Sequence, residues 1–251
     1  MAAVEDHMWF YRALHTHVER ALAKGLAKAA QAMATPMVGA GTFATGFQIL
    51  DAGCGTGGLI RRLERRYPDW QWTGVDVEPL ACELALSRCA STILQGSLHA
   101  LPFPDSAFDA VVCSDVLYHL DDDVGALREL FRVLRPGGLA VINVPAHQWL
   151  WSYHDVTVHG RRRYDRRTLE RKLCEAKFGQ AELTHWNALP LPLVMVRRKL
   201  LRPPSSGSDV RLYPAPIEAL FRAGASAERW WIGAIAPLPF GSSILGTARK
   251  Q

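Results

Sequence analysis

Hydrophobic and polar positions along this chain follow two alternating patterns. Short, nearly continuous apolar runs, such as Phe108–Cys113, are typical of strands buried on both faces of a parallel sheet. Between these runs, apolar residues recur at helical spacing, as at Leu14, Val18 and Leu22. The alternation predicts an α/β fold in which a parallel sheet carries helices on both of its faces.

Periodicity and end signals place the predicted elements along the chain. The predicted helices cover residues 4–33, the segment around Leu59–Leu63, residues 79–90, the segment from Val124 to Leu134, and the residues from Asp165 to Phe178. The first predicted strand ends near Asp51. The other predicted strands cover residues 72–76, 92–94, 108–113, 139–144, 180–186 and 241–249. Thr35 to Gly46 is predicted to be a linker, and Pro136-Gly137-Gly138 to end the preceding helix.

A glycine-rich loop follows the first predicted strand. Gly53, Gly55 and Gly58 satisfy the dinucleotide pattern G-x-G-x-x-G, whereas Asp51, Gly53, Gly55 and Gly57 satisfy D-x-G-x-G-x-G. Glycine lets the backbone turn sharply and approach a ligand closely. The Asp51 carboxylate would repel a diphosphate and attract a cationic amino group. The loop therefore favours S-adenosylmethionine, which has an amino group, a sulfonium and no phosphate.

Further motifs follow in a fixed order. Trp72–Asp76 is a strand that ends in an acid about 20 residues after the loop, where a ribose diol would bind. Leu101–Asp105, Ser114–Leu120 and Leu134–Leu139 come after it. This ordered set, over roughly residues 45–145, resembles the class I S-adenosylmethionine-dependent methyltransferases, specifically the type 11 small-molecule group that includes ubiquinone-type methylases.

The resemblance implies a fold and a set of cofactor-binding residues. The implied fold is a Rossmann-like, seven-stranded, mostly parallel sheet in which the strands at 180–186 and 241–249 form the closing antiparallel pair. Ser97 stands where many members carry an Asp that contacts the adenine amino group. The implied cofactor-binding residues are Asp51, Gly53, Cys54, Gly55, Gly57, Asp76, Val77, Ser97, Leu98 and Ser114.

Composition and charge are those of an ordinary globular enzyme. The chain has 251 residues, 49% hydrophobic, with a formal net charge of +5. Its five cysteines are scattered without a C-x-x-C pair, so neither zinc nor a disulfide framework is expected. The mild charge and the lack of an Asn/Asp-Pro-Pro-aromatic motif argue against a nucleic-acid substrate. We expect a cytoplasmic monomer or homodimer without a signal peptide.

His119 is the first candidate on the acceptor side. It follows the fourth predicted strand, and the resemblance implies that it faces the cofactor crevice. Histidine titrates in the useful range, and a base is needed where an oxygen or nitrogen acceptor must lose a proton. The alternative is a residue that flanks a helix and bonds to the backbone.

A second group of polar residues lies after the fifth predicted strand. His154, Asp155, His159, Arg162 and Tyr164 could orient an acceptor hydroxyl or hold a carboxylate or phosphate. We assign His154 and Tyr164 to catalysis with His119, and the other three to substrate binding. A metal site is conceivable but has no clear further ligand, so no metal is predicted. The alternative is a solvated basic loop.

Two flanking regions complete the predicted organisation. Residues 1–46, with Trp9 and Tyr11, resemble an N-terminal helical lid, and residues 187–240 are predicted to be a helical insertion on the substrate side. We assign Trp9, Tyr11 and Tyr118 to substrate binding. The core would then comprise residues 47–186, closed by the strand in residues 241–251. The apolar runs of the insertion are too short to span a bilayer, although contact with a membrane surface or a greasy acceptor is compatible with them.

These observations predict a methyltransferase that acts on a small, apolar or anionic acceptor and leaves S-adenosylhomocysteine as product. Two alternatives stay open: an NAD(P)-dependent oxidoreductase with a Rossmann fold, and a cofactor-binding protein without turnover.

Overall fold

The computed structural model describes residues 2–33, 46–196 and 212–251. The predicted linker therefore lies outside the described residues except for Gly46, as do residues 197–211 of the predicted insertion. Within the described ranges, no helix has the length and apolar character needed to cross a membrane.

Among the described residues the sheet has seven strands, and helices follow most of the parallel ones, although β3 leads directly into β4. The strands are β1 (Gln48–Ala52), β2 (Gln71–Asp76), β3 (Thr92–Gln95), β4 (Phe108–Ser114), β5 (Leu134–Pro145), β6 (Glu182–Trp186) and β7 (Ser243–Arg249). Their order is β3-β2-β1-β4-β5-β7-β6, and only β7 runs antiparallel, against both β5 and β6. The predicted mostly parallel sheet and its closing antiparallel pair are confirmed.

Helices cover both faces of this sheet. They are α1 (Ala2–Glu5), α2 (Trp9–Met33), α3 (Gly58–Arg66), α4 (Pro79–Arg88), α5 (Asp123–Val133), α6 (Tyr153–Thr157), α7 (Arg166–Glu175), α8 (Leu191–Met195) and α9 (Ala215–Ala234). Two apolar clusters lie between the layers, one built around Leu127, Leu130 and Ile142, the other around Val18, Leu22 and Ile60. Continuous apolar strands are therefore buried on both faces, as their sequence indicates.

Local chemistry explains several helix ends. Asp122 caps α5 because its carboxylate accepts a hydrogen bond from the Gly125 backbone N–H at 2.8 Å, and Asp165 caps α7 by accepting from Thr168 N–H at 2.7 Å. Pro79 occupies the first turn of α4, where no helical N–H partner is needed.

The boundary between α5 and β5 differs from the prediction. The helix ends at Val133 and the strand begins at Leu134, so Pro136-Gly137-Gly138 lies inside β5 instead of before it. Leu134 pairs with Phe108, and the register then shifts before Leu139 pairs with Ala110. Gly137, with φ of 77°, absorbs the irregularity. The helix therefore stops before the Pro-Gly-Gly segment, and β5 includes this segment although only Leu134 and the residues from Leu139 onward pair with β4.

The predicted helix over residues 4–33 is also interrupted. It is two helices, because α1 ends at Glu5 and α2 begins at Trp9. The Trp9 backbone N–H donates to the Glu218 carboxylate of α9 at 2.9 Å, so a distant helix supplies the missing cap. Smaller differences are that α7 ends at Glu175 and β6 begins at Glu182.

Candidate active site

A cavity of about 620 Å³ opens at the carboxyl ends of β1, β2 and β4. Ligands bind at this edge in open α/β sheets because the loops that follow the strands diverge there. The start of α2 and the helices α8 and α9 close the other side, with Met8, Leu193 and Phe221 among the apolar lining residues. The cavity therefore joins the sheet edge to the two flanking regions of the chain.

The glycine-rich loop forms one wall of this cavity. The backbone N–H groups of Gly53 and Cys54 both donate to the Val75 carbonyl, at 2.7 and 3.0 Å. Gly53 and Gly55 have φ of 88° and 52°, a region that side chains other than glycine rarely adopt. A Cβ on Gly53 would clash with Val116, whereas one on Gly55 would meet no atom of the described residues within 4 Å. Gly53 is thus required by packing, and Gly55 leaves open space beside the cavity.

Asp51 lies at the base of the loop and is only 3% exposed. Burial, followed by the nearby Glu5 and Asp76, raises the pKa of its carboxyl group to about 8. No described residue donates a hydrogen bond to this carboxylate. A buried acid of this kind is a costly arrangement without a partner, and a ligand ammonium group would supply that partner.

Asp76 ends β2 and faces the same cavity. One carboxylate oxygen accepts from the Gly55 N–H at 2.8 Å, and the other accepts from the Glu78 N–H at 3.0 Å. Each carboxylate oxygen can accept more than one hydrogen bond, so both retain capacity for ribose hydroxyls. The backbone contacts fix the orientation of this acid before any ligand arrives.

The other residues predicted to bind the cofactor are mostly on the wall of the cavity. Cys54, Val77, Ser97, Leu98 and Ser114 all line it. The Ser114 hydroxyl is buried without a hydrogen-bond partner among the described residues. After the Asp51 carboxylate, the Ser114 hydroxyl is thus a second polar group at the cavity that a polar ligand could satisfy.

Gly57 is the exception among the predicted cofactor-binding residues. It lies at the N-cap of α3, with φ of 77°, and not on the cavity wall. A Cβ there would approach the Cys89 and Ala85 side chains of the neighbouring helix. Its glycine is explained by close packing.

The residues before α2 hold the glycine loop through a buried polar network. Glu5 accepts hydrogen bonds from the Thr56 hydroxyl at 2.5 Å and from Arg88 at 3.0 Å. Asp6 pairs with Arg88 at 2.8 Å and with Arg61 at 2.5 Å. The Glu5 and Arg88 side chains are largely buried, so these charges depend on each other. The network fastens the N-terminal segment over one side of the cavity.

His119 lines the cavity from the short 3-10 turn Leu117–His119. Burial, the largest cause, lowers the pKa of its imidazole, so the ring is neutral at pH 7. Its Nδ1 lies 3.3 Å from the His159 carbonyl oxygen. In the tautomer that donates this hydrogen bond, Nε2 keeps its lone pair and can accept a proton.

Asp115 is a cavity residue that the sequence reasoning missed. It has φ of 54°, and its carboxylate accepts a hydrogen bond from Asn143 Nδ2 at 2.9 Å. Asn143 in turn accepts from Trp186 Nε1 at 2.8 Å. Burial raises the pKa of Asp115 to about 7. The signal was available, because this acid directly follows the end of β4 as Asp51 and Asp76 mark the ends of β1 and β2.

Besides His119, four of the predicted acceptor-side residues line the cavity as expected. Trp9, Tyr11, Tyr118 and His154 all line it. Burial, as the largest cause, raises the pKa of both the Tyr11 and the Tyr118 hydroxyls, and Asp115 adds to both shifts. Both phenols are therefore neutral at physiological pH and able to donate a hydrogen bond.

The remaining residues of the 154–164 segment are not available for the predicted roles. Tyr164 is 1% exposed and donates to the Asp123 carboxylate at 2.6 Å, which corrects its assignment to catalysis. Arg162 pairs with the same Asp123 at 3.3 Å, away from the cavity wall. His159 contributes its carbonyl oxygen to His119 and does not line the cavity itself.

Asp155 faces the cavity but its carboxylate is already occupied. One oxygen accepts from Arg163 Nε at 2.7 Å, and the other accepts from the Ser152 backbone N–H at 2.9 Å in a capping box. This acid therefore holds the start of α6 and the buried Arg163 side chain. The basic segment is largely a structural ion-pair network.

Asn187 is a further lining residue that carried no signal in the sequence. Its Nδ2 donates to the Ser242 hydroxyl at 2.6 Å, while its Oδ1 is buried without a partner among the described residues. The Asn187 N–H donates to Glu228 of α9 at 2.8 Å. Residues distant in the sequence are brought together here by the pairing of β6 with β7.

Comparison with known proteins agrees with this geometry. Residues 50–142 match the sequence model described as a methyltransferase domain. Among curated relatives, malonyl-[acyl-carrier protein] O-methyltransferase from Serratia marcescens is 37% identical over 111 residues, covering 44% of this chain and 43% of the relative. Demethylmenaquinone methyltransferase from Thermus thermophilus is 38% identical over 100 residues, covering 38% and 46% respectively. The matches thus span less than half of each relative.

Solved structures extend the similarity of the fold to nearly the whole chain. A chain of the complex between the Haloferax volcanii Trm112 methyltransferase activator and a methyltransferase superposes with a TM-score of 0.56 at 18% identity, covering 98% of both chains. Haemonchus contortus phosphoethanolamine N-methyltransferase 2, in complex with S-adenosyl-L-methionine, gives a TM-score of 0.56 at 18% identity, covering 84% of this chain and 50% of that one.

The match defines the class of the segment that it covers. Residues 50–142 are a class I S-adenosylmethionine-dependent methyltransferase domain of the type 11 group. The relatives named here are methyltransferases, and they give the oxidoreductase alternative no support.

Proposed function

We propose that the whole chain transfers a methyl group from S-adenosylmethionine to a small molecule bound in the 620 Å³ cavity. One observation carries the proposal: the buried Asp51 carboxylate, without a protein donor among the described residues, lies at the base of the glycine loop. It would hold the ammonium group of the cofactor, and Asp76 would hold the ribose hydroxyls. When bound, the cofactor supplies an activated methyl group on its sulfonium.

Further polar atoms fit the same ligand. The unpaired Ser114 hydroxyl stands at the end of β4, and Ser97 follows β3 on the same wall. Their hydroxyls can donate to or accept from the cofactor without adding charge. The resemblance also implied Ser97 and Ser114 as cofactor-binding residues, and a measurement of cofactor binding tests both.

We propose an apolar acceptor with one ionisable hydroxyl or amine. The lining beyond the glycine loop includes Phe10, Leu14, Leu193, Val194 and Phe221, which favours an apolar body. The Tyr11 and Tyr118 hydroxyls could position the reacting group. Because the cofactor is already activated, holding the two reactants in line supplies much of the rate.

His119 is the proposed proton acceptor. Its ring is neutral at pH 7 because burial lowers its pKa, and the His159 carbonyl orients it. It would take the proton that the acceptor loses as its oxygen or nitrogen attacks the methyl carbon. Asp115, held by Asn143, would stabilise the positive charge that develops on the imidazole or that the sulfonium brings.

Two measurements test the function. Thermal shift should show stabilisation by S-adenosylhomocysteine and none by NAD, because only the former matches an acid-based loop without repulsion. Incubation with a methyl-labelled donor and a panel of phenols, quinols and amines should then transfer the label to an apolar member. Stabilisation by NAD would contradict the cofactor assignment, and binding of the donor without any labelled product would favour a protein that binds without turnover.

We propose that the acceptor is a small molecule and not a nucleic acid. The cytoplasmic location and the monomeric or homodimeric state stay predictions.

A further inference from the structure

A second cavity, of about 570 Å³, lies on the outer side of the N-terminal segment. Its walls come from the first residues of the chain and α2, from α3, and from α9. Six arginines line it: Arg12, Arg61, Arg62, Arg65, Arg222 and Arg229. We call this cavity the arginine pocket. Nothing in the methyl-transfer chemistry uses it.

Carboxylates neutralise only part of this charge. Arg61 pairs with Asp6 at 2.5 Å, and Arg62 pairs with Glu19 at 3.2 Å. Asp6 and Glu19 also serve Arg88 and Arg66, which further divides their charge. Among the described residues the pocket therefore has more cations than anions to balance them.

Four of the arginines have no carboxylate partner among the described residues: Arg12, Arg65, Arg222 and Arg229. Arg229 makes its side-chain hydrogen bonds within its own helix, to the Ser226 hydroxyl at 3.0 Å and the Ala225 carbonyl at 3.5 Å. Burial, followed by repulsion from Arg20 and Arg62, lowers its pKa. Charge is thus concentrated on three separate elements without internal compensation.

We propose that the arginine pocket binds a phosphate group that carries two or more negative charges. Guanidinium groups bind phosphate oxygens in bidentate pairs, and several of them converging on a concavity suit a polyanion better than a single carboxylate. A bound anion would also offset the repulsion among arginines on α2, α3 and α9. The pocket volume exceeds that of one phosphate, so an organic phosphate or a pyrophosphate fits.

This site is distinct from the cofactor cavity. Glu5, Trp9 and His15 line both cavities and form the partition between them. The cofactor side of this partition carries the acids Asp51 and Asp76, whereas the outer side carries the six arginines with Asp6, and Glu5, which lines both sides, pairs with Arg88. S-adenosylmethionine has no phosphate and carries a sulfonium, so its charge suits the acidic side. The inference does not rest on the proposed function.

Calorimetric titration with inorganic pyrophosphate at constant ionic strength tests the proposal. The wild-type chain should bind one pyrophosphate with saturation, and the double variant R222Q/R229Q should bind at least about 10-fold more weakly, the loss expected for removing charge-assisted hydrogen bonds. The matched control is R128Q on α5, an exposed arginine outside the pocket, which should bind as the wild type does. Circular dichroism establishes that each variant is folded.

A second arm separates the two sources of such a phosphate. Flotation with phosphatidic-acid vesicles that is lost in R222Q/R229Q assigns a lipid headgroup, and pyrophosphate binding without flotation assigns a soluble molecule. No saturable binding in either arm, equal binding by R222Q/R229Q and the wild type, or competition between pyrophosphate and S-adenosylhomocysteine would overturn a separate phosphate site. Methyl transfer can fail or succeed independently of these results.

Discussion

The cofactor side and the acceptor side of the same cavity differ in how they are built. On the cofactor side, Asp51, Asp76 and Ser114 stand at the ends of adjacent parallel strands. On the acceptor side, the wall comes from α2, α6, α8 and α9, with Asn187 directly after β6 and Ser242 directly before β7. The first wall follows from strand order, and the second from how separate helices pack.

Charge pairing differs between the two sides in the same way. Asp51 remains without a protein donor among the described residues, whereas Asp155 and Arg163 on the acceptor side form an ion pair with each other. Unpaired buried groups indicate where a ligand binds, and satisfied ones indicate structure. The type of a residue in a loop is therefore weaker evidence of function than a buried polar group that lacks a hydrogen-bond partner.

Asp51→Asn should produce the largest loss. The amide cannot pair ionically with the cofactor ammonium, and removing one partner of a buried charge pair typically costs about 2–5 kcal/mol. We expect affinity for S-adenosylhomocysteine to fall on the order of 100-fold by calorimetry. Asp121→Asn, an exposed acid with 74% side-chain exposure, is the control and should bind normally. Unchanged affinity of Asp51→Asn would remove the basis of the cofactor side.

His119→Ala probes the acceptor side and should lower kcat by about 100-fold, in the range expected for general bases. The Kd for S-adenosylhomocysteine should change little, because the imidazole is assigned to the acceptor. Single-turnover kinetics beside calorimetry separates the two quantities. Equal losses in kcat and cofactor affinity would make His119 a structural residue.

Arg88→Gln tests whether the N-terminal segment acts as a lid. It removes the cation shared by Glu5 and Asp6 and leaves the buried Glu5 with only the Thr56 hydroxyl. We expect about 10-fold faster release of S-adenosylhomocysteine by stopped flow, since loss of a buried partner is destabilising. Arg171→Gln, on the exposed face of α7, is the control. Unaltered release would separate the network from cofactor retention.

The free energy of unfolding of the unligated protein should depend on pH through the buried Asp51 of the cofactor side. Asp51 has an ordinary value of 3.8 and a folded pKa of about 8, so between these values the folded state holds a proton that the unfolded state has released. Stability of the unligated protein should therefore fall as pH rises from about 4 to 8, in chemical denaturation. Asp51→Asn should flatten part of this slope, and Asp115 supplies another part. An unchanged slope in Asp51→Asn would argue against a raised pKa.

Tyr164→Phe should have the smallest effect. The change removes the 2.6 Å hydrogen bond to Asp123, which Lys172 still contacts at 2.6 Å. We expect a loss of about 1 kcal/mol in the free energy of unfolding, as for one ordinary hydrogen bond, with kcat unchanged. A large fall in kcat in a stably folded variant would restore the catalytic assignment.

The sequence by itself determined the sheet and the cofactor side. Continuous apolar runs that alternate with helical patterns are typical of parallel strands buried on both faces, and acids at the ends of β1 and β2 then meet at one edge of the sheet. The positive φ of Gly53 and Gly55 is a local property of the backbone that favours glycine. These features therefore follow from short segments of the chain.

Only the tertiary structure decided the acceptor side. Tyr164 and Asp155 are residue types that often serve in catalysis or binding. In the folded chain, however, Tyr164 bonds to Asp123 and Asp155 bonds to Arg163, so neither is free for the predicted role. Glu218 accepts a hydrogen bond from the Trp9 N–H at the start of α2 across 209 residues of sequence, and Leu134 pairs with Phe108, so β5 begins before Pro136-Gly137-Gly138. Such pairings depend on contacts between distant segments, so local pattern cannot specify them.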